Sequence, residues 1–235
     1  MSEKNQQKWK WLDFAHSYFS LAQLGCKELL EHRYKFSNKD MFPILDDDVK
    51  KFDLFSKERL MIPILFNIKH AIEIFIKTLM KCLGVSSVPH HHDAEILFNE
   101  LKKMASQNKI KGTLLRALKK NPNDSDLLLA LERIDKLPLY IENVEAFIKK
   151  YQQCEIIKGK LDNDYTINDD CNSVFRYPES NVGFSLNYES ILKKISNKDI
   201  EEILKDLEDD YGLWGSFKAS GYIISVYGNW KLKGY

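Results

Sequence analysis

Apolar positions recur every three or four residues along most of the chain, and this pattern predicts a series of amphipathic helices. The strongest pattern runs from Leu60 to Leu83 and keeps the helical period over about six turns. Pro63 falls near its start, where a proline occupies the first turn or kinks the helix. Gly84 can end the helix because glycine adopts left-handed dihedrals without a steric cost. The sequence therefore predicts one long buried helix between these two residues.

Shorter helical patterns occur on both sides of this helix. Asp93 and Ser196 are N-cap residues at the start of two such patterns, and Pro138 suits the first turn of a third. Near the beginning of the chain, a further helix is predicted by one apolar stripe, formed by Trp11, Phe14, Ala15, Tyr18, Ala22, Gly25 and Leu29.

The pattern changes in the C-terminal third. Residues 158–172 are polar and turn-rich, and the segments SVFRY and VGFSL, separated by Pro-Glu-Ser-Asn, predict a short β-hairpin. The aromatic and β-branched segment 221–235 favours a strand. We therefore predict an all-α, up-and-down helical bundle with a short hairpin or strand near the C-terminal third. With no repeat period and no long linker, residues 1–235 are expected to form one domain.

Composition narrows the function only slightly. Thirty-five basic residues face 34 acidic ones, so any contact with nucleic acid requires a local patch. The four cysteines form no C-x-x-C pair, and this spacing favours reduced thiols over a zinc ribbon or disulfide framework. No apolar run approaches the roughly 20 residues of a membrane span, and the first residues lack the apolar core of a leader peptide. We expect a cytoplasmic protein with no membrane contact and no cofactor.

Candidate chemistry is concentrated on the long helix and just after it. His70, Glu73 and Lys77 are three and four residues apart, which places them on adjoining parts of one helix face. His92 lies directly before the predicted cap of the next helix. The run His90–His92 does not predict a metal site, since consecutive side chains point in different directions and seldom bind one ion.

A later connection adds Arg176, Tyr177 and Pro178. A guanidinium and an aromatic ring suit contact with nucleic acid. The alternative is structural: Arg176 reaches a carboxylate while Tyr177 packs on the bundle.

Taken in order, these motifs resemble the HEPN family of small helical bundles. The family pattern H-A-x-E-x-x-x-K-x-L matches residues 70–79, an H-D start to the next helix matches residues 92–93, and an R-Y-P segment matches residues 176–178. The match is clearest over residues 60–180. It implies a helical bundle, frequent homodimers, and roles in RNA-targeting toxins, antiviral defence or partnership with nucleotidyltransferases.

Nuclease members of this family share the motif R-x(4–6)-H, from which this sequence departs. None of its five arginines has a histidine five to seven residues downstream. The departure argues against RNA cleavage by the usual family mechanism. We therefore expect a binding or regulatory protein of a prokaryotic defence or toxin–antitoxin setting, whose ligand is RNA, a nucleotide or a partner protein. Two alternatives are a divergent metal-independent ribonuclease, which is the activity expected if the protein is an enzyme, and a structural dimerisation module.

The sequence also predicts where such a site lies. We expect His70, Glu73, Lys77, His92 and Arg176 to converge on one cleft at the edge of the bundle. Positive charge from Lys77 and Arg176 favours an anionic ligand, above all phosphate. His70 or His92 is the candidate catalytic residue of the ribonuclease alternative. Structural alternatives are a His70 hydrogen-bonded to Glu73 or a neighbouring helix, and a plain Glu73–Lys77 pair.

Tyr177 completes the predicted ligand-binding residues, together with Glu73, Lys77 and Arg176.

Overall fold

The computed structural model describes residues 3–31, 57–90, 92–152, 194–209 and 212–235. Within these ranges the chain is all-α and contains no strand. Its helices are α1 (Glu3–Glu31), α2 (Lys57–Cys82), α3 (Ala94–Met104), α4 (Gln107–Lys120), α5 (Ser125–Arg133), a 3-10 turn (Ile134–Lys136), α6 (Leu137–Gln152), α7 (Asn197–Glu208) and α8 (Leu213–Leu232).

The α2 helix forms the centre of the core, as its apolar period predicts. It contacts α1, α3, α6 and α8, so apolar side chains cover most of its circumference. Because α2 begins at Lys57, Pro63 lies in its second turn. The Pro63 side chain is exposed. Of the predicted core positions, Leu60 is only partly buried, and the others are buried: Ile64, Ile68, Ala71, Ile72, Phe75, Ile76, Leu79 and Leu83.

Gly84 ends α2 as predicted. Its φ of 90° is left-handed. The Gly84 N–H donates to the Lys81 carbonyl at 3.0 Å, and the Val85 N–H donates to the Met80 carbonyl at 3.2 Å. These two bonds form a Schellman motif, which satisfies carbonyls that would otherwise lack donors at the helix end.

The α1 helix lies antiparallel along α2, but its buried face differs from the predicted stripe. Trp11 and Phe14 are exposed, at 45% and 52% of their surface. Apolar residues occupy more than one face of α1, so the sequence period allows two solutions and only packing against α2 selects between them. The residues that are buried are Leu12, Ala15, Phe19, Ala22, Cys26 and Leu29.

The strand predicted for residues 221–235 is wrong, because this segment forms most of α8. The α8 helix contacts α2, α4, α5, α6 and α7 and is buried on nearly every side. A helix that is apolar all round shows no 3.6-residue period, so its β-branched residues mimic a strand. The hairpin predicted between residues 173 and 187 lies outside the described residues.

Capping residues begin the shorter helices as the sequence predicts. Asp93 accepts a hydrogen bond from the Ile96 N–H at 2.9 Å and caps α3. Ser196 and Asp199 form a reciprocal capping box at the start of α7. Pro138 is the second residue of α6, within the first turn. These caps depend on neighbours in sequence, which is why the sequence alone locates them.

The α7 helix is held between α6 and α1 by apolar and charged contacts. Asp206 accepts hydrogen bonds from Lys150 Nζ at 2.6 Å and from the Tyr151 hydroxyl at 3.0 Å. Burial and the Asp206 carboxylate together raise the pKa of Tyr151. In the same last turn of α7, Glu208 pairs with Lys27 of α1 at 2.5 Å. In the described part of the chain, no helix has the length and apolar character needed to cross a membrane.

Candidate functional site

Glu73 is the centre of a polar cluster on α2. Its side chain is only 7% exposed, although it carries an ionisable carboxyl group. Lys77, one helical turn later, donates from Nζ to Glu73 Oε1 at 2.7 Å. Removing a carboxylate from water costs several kcal/mol of folding free energy unless the group is paired and hydrogen-bonded. The Lys77 ammonium group offsets this cost by pairing with the buried Glu73 carboxylate.

His92 reaches the same oxygen from the segment that precedes α3. Its Nδ1 lies 2.8 Å from Glu73 Oε1. Asp93, the next residue, is fixed by its capping bond to α3, so the backbone that carries the imidazole is also fixed. When Glu73 is ionised, it only accepts hydrogen bonds, so His92 Nδ1 carries the proton and a neutral imidazole presents its lone pair at Nε2. Glu73 thus orients a partly exposed imidazole for proton transfer or ligand contact.

His70 packs against two aromatic rings. Its Nδ1 lies 3.9 Å from Glu73 Oε2, which is too long for a hydrogen bond. Instead, the Phe66 ring stacks on the imidazole with centroids 5.5 Å apart, and Tyr18 of α1 meets it edge-on at 4.8 Å. The hydrogen bond between His70 and Glu73 that the sequence suggested as a structural alternative does not form.

Glu73 uses its two oxygens differently. Oε1 accepts from both Lys77 and His92, whereas the buried Oε2 has no hydrogen-bond partner among the described residues. An ionised carboxylate oxygen is a strong acceptor in a low-dielectric environment. The Oε2 side of the cluster is therefore suited to an N–H or O–H donor.

Four of the five residues predicted to converge do lie together: His70, Lys77 and His92 surround the Glu73 carboxylate. Arg176 and Tyr177 lie outside the described residues. With neutral imidazoles, the negative charge of Glu73 and the positive charge of Lys77 cancel. An anionic ligand at this cluster therefore requires protonation of a histidine or a further cation, because Lys77 alone only balances Glu73.

Two residues of the cluster were missed from the sequence. Phe66 precedes His70 by four residues, so helical spacing could have revealed the contact. Tyr18 comes from a different helix, and only the packing of α1 on α2 places it there.

Metal binding has no support from the described residues, where no group of three His, Cys, Asp or Glu side chains could hold an ion.

Comparison of the chain with protein-family models, with curated proteins and with solved structures found no match.

Proposed function

We propose that this chain is a HEPN-like helical binding or regulatory protein that acts in the cytoplasm, in a prokaryotic defence or toxin–antitoxin setting. The setting is supported by the ordered motifs at residues 70–79 and 92–93. The ligand site is supported by one observation above all: the buried Glu73 carboxylate holds Lys77 and His92 on the same oxygen.

The proposed ligand carries phosphate, as RNA or a nucleotide does. Lys77 Nζ has three donor hydrogens and uses one on Glu73, so two further hydrogens can bond to a phosphate oxygen. A protonated His92 donates from Nε2 as well. Glu73 then acts as the positioning residue for both donors.

Nucleotide and RNA titrations by calorimetry and fluorescence anisotropy test this proposal. We expect Lys77→Met and His92→Ala each to weaken binding about tenfold, since each removes one charge-assisted hydrogen bond of about 1.5 kcal/mol. Lys103→Met is the matched control, because Lys103 is an exposed lysine on α3 away from the cluster. Equal affinity of all three variants and the wild type for every phosphate ligand would rule out the cluster as the site.

Ribonuclease activity is a second candidate, favoured by the orientation of His92. A neutral imidazole whose Nδ1–H is held by a carboxylate can accept a proton at Nε2. In this reaction, His92 takes the proton of a ribose 2′-hydroxyl. The 2′-oxygen attacks the adjacent phosphorus, and the bond to the 5′-oxygen of the next nucleotide breaks as that oxygen takes a proton from a water molecule. The hydroxide that remains is neutralised by the proton that His92 has taken up. Lys77 and a further cation stabilise the added negative charge on the phosphate, because Lys77 alone only balances Glu73.

Incubation of the purified protein with tRNA and total RNA separates the two candidates. Cleavage that His92→Ala abolishes supports the nuclease, and cleavage that only His70→Ala abolishes transfers the catalytic role to the aromatic-held imidazole. Absence of cleavage by the wild type, together with phosphate binding, supports the binding protein.

We also propose that the chain forms a homodimer and that a nucleotidyltransferase or another protein is its partner, as the family resemblance implies. Sedimentation velocity at micromolar concentration is expected to show the dimer. A single 27.5 kDa species at high concentration contradicts it. A stable dimer that binds no phosphate ligand and no protein would instead favour the structural dimerisation module.

A further inference from the structure

A second polar region lies where α4 and α8 end. We define the basic-aromatic surface by Lys119, Lys120, Trp230, Lys231, Lys233 and Tyr235. Residues 107–120 and 213–235 together contain eight basic residues and not one aspartate or glutamate. Four of the eight, Lys119, Lys120, Lys231 and Lys233, belong to this surface, and in a chain whose net charge is only +1 they create a local positive field.

Aromatic rings and ammonium groups from both segments meet at this surface. Lys120 Nζ, at the end of α4, lies 5.1 Å from the ring centroid of Tyr235. Lys233 Nζ lies 3.9 Å from the Trp230 ring centroid, and Trp230 and Tyr235 meet edge-on at 5.2 Å. The Lys120 ammonium group of one segment is therefore beside the Tyr235 ring of the other, and Lys233 lies beside Trp230 within its own segment.

The lysines of this surface are exposed and are not paired with carboxylates in the described part of the chain. A cation in the last turn of a helix interacts favourably with the helix dipole, and this interaction explains the positions of Lys119, Lys120 and Lys231. It does not account for Lys233, which follows α8, or for the adjacent rings. A ligand that combines negative charge with flat rings matches all of these features.

We propose that the basic-aromatic surface binds a single-stranded polynucleotide. Its phosphates meet the lysine ammonium groups, and an unpaired base stacks on Tyr235, whose ring is partly exposed. Lysine stems are flexible, so Lys120 and Lys233 can turn from a ring to a phosphate without moving a helix. A duplex fits this surface less well because its bases are already stacked on one another.

This surface is separate from the Glu73 cluster. Gly221 and Gly228 of α8 pack on Phe75 and Cys82 of α2. Glu73 precedes Phe75 by two residues, and two residues correspond to about 200° around a helix. The inference therefore does not rest on the proposed function of Glu73 and its neighbours.

Fluorescence anisotropy with a labelled single-stranded 20-mer of uridine tests the inference, with the thymidine 20-mer of DNA as a second probe. We expect the double variant Lys119→Glu/Lys120→Glu to lose at least tenfold in affinity at low salt. Its log–log salt slope should be shallower by about 1.4, since each phosphate contact to a single strand contributes about 0.7. The matched control is Lys103→Glu/Lys198→Glu, which makes the same charge change on exposed residues of α3 and α7 and should stay within threefold of the wild type.

Tyr235 distinguishes a polynucleotide from other polyanions. Tyr235→Ala is expected to weaken binding about fivefold or more through loss of base stacking, and Tyr235→Phe should retain it. Tyr235→Ala should leave competition by inorganic polyphosphate unchanged.

Four results would overturn the inference: no binding of either 20-mer by the wild type, an unchanged double variant, an equal loss in the lysine control, or an unchanged Tyr235→Ala variant. Loss of binding only in Lys77→Met and His92→Ala would assign the nucleic acid to the Glu73 cluster. That result overturns the inference about the basic-aromatic surface but supports the function proposed for the Glu73 cluster. The two proposals can therefore be refuted independently of each other.

Discussion

Replacement of Gly228 by alanine tests the contact that brings α8 against the end of α2. A Cβ atom at this position would lie 2.4 Å from the carbonyl oxygen of Cys82 and 2.9 Å from its carbonyl carbon. Both are backbone atoms, so no side chain can rotate to make room. Restoring even a 3.0 Å separation requires one helix to move by about 0.6 Å, which is 3.0 minus 2.4. Closely packed interiors resist such movement.

Two opposing contributions set the expected magnitude. In a helix interior, changing glycine to alanine ordinarily stabilises the fold by about 0.5–1 kcal/mol. Overpacking in a filled core costs about 1–3 kcal/mol, and contact with fixed backbone belongs at the upper end of that range. We therefore expect Gly228→Ala to lower the free energy of unfolding by about 1–2 kcal/mol.

Gly112→Ala is the matched control. Gly112 lies inside α4, and the nearest atom to its added Cβ is a guanidinium nitrogen of Arg116 at 3.7 Å, an ordinary contact. This variant should gain about 0.5–1 kcal/mol, so the two variants should differ in stability by about 1.5–3 kcal/mol. At about 2–4 °C per kcal/mol, their melting temperatures should differ by about 3–12 °C.

Urea unfolding followed by circular dichroism at 222 nm measures both variants. Equal stabilisation by Gly228→Ala and Gly112→Ala would refute the close approach of α8 to Cys82. Destabilisation of both would show instead that a general helix effect, and not the contact, controls the result.

The remaining predictions concern one ion pair and one buried thiol. A hydrogen bond from Lys102 of α3 lowers the pKa of Glu145 of α6. The ion pair therefore stabilises the fold fully above pH 4.5, the ordinary pKa of glutamate. This stabilisation is lost as the pH falls through the lowered pKa of Glu145. Lys102→Met should therefore cost up to about 1 kcal/mol at pH 7 and less at pH 3 in urea unfolding. An equal cost at both pH values would contradict the ion pair. Burial raises the pKa of Cys26 to about 12, so iodoacetamide at pH 8 should label Cys26 only through unfolding, as peptide mass spectrometry can measure. Rapid labelling of Cys26 in the native protein would contradict its burial.

Local patterns account for what the sequence determined by itself. The period of α2, the Gly84 termination and the caps at Asp93 and Ser196 each depend on residues within about one or two helical turns. The joint face of Glu73 and Lys77 follows in the same way, because helix geometry alone places residues four apart together.

Long-range packing decided the rest. Residues 221–235 resemble a strand in isolation, and α8 is helical because five other helices bury it on nearly all sides. The buried face of α1 was likewise selected by α2, since Trp11 and Phe14 are apolar but face outward. In the candidate site, His92 reaches Glu73 because the turn after α2 returns it alongside. The hydrogen bond from His70 to Glu73, which was one structural alternative, does not form, and His70 contacts the rings of Tyr18 and Phe66. These outcomes depend on which surfaces meet, and sequence spacing carries no information about distances between separate helices.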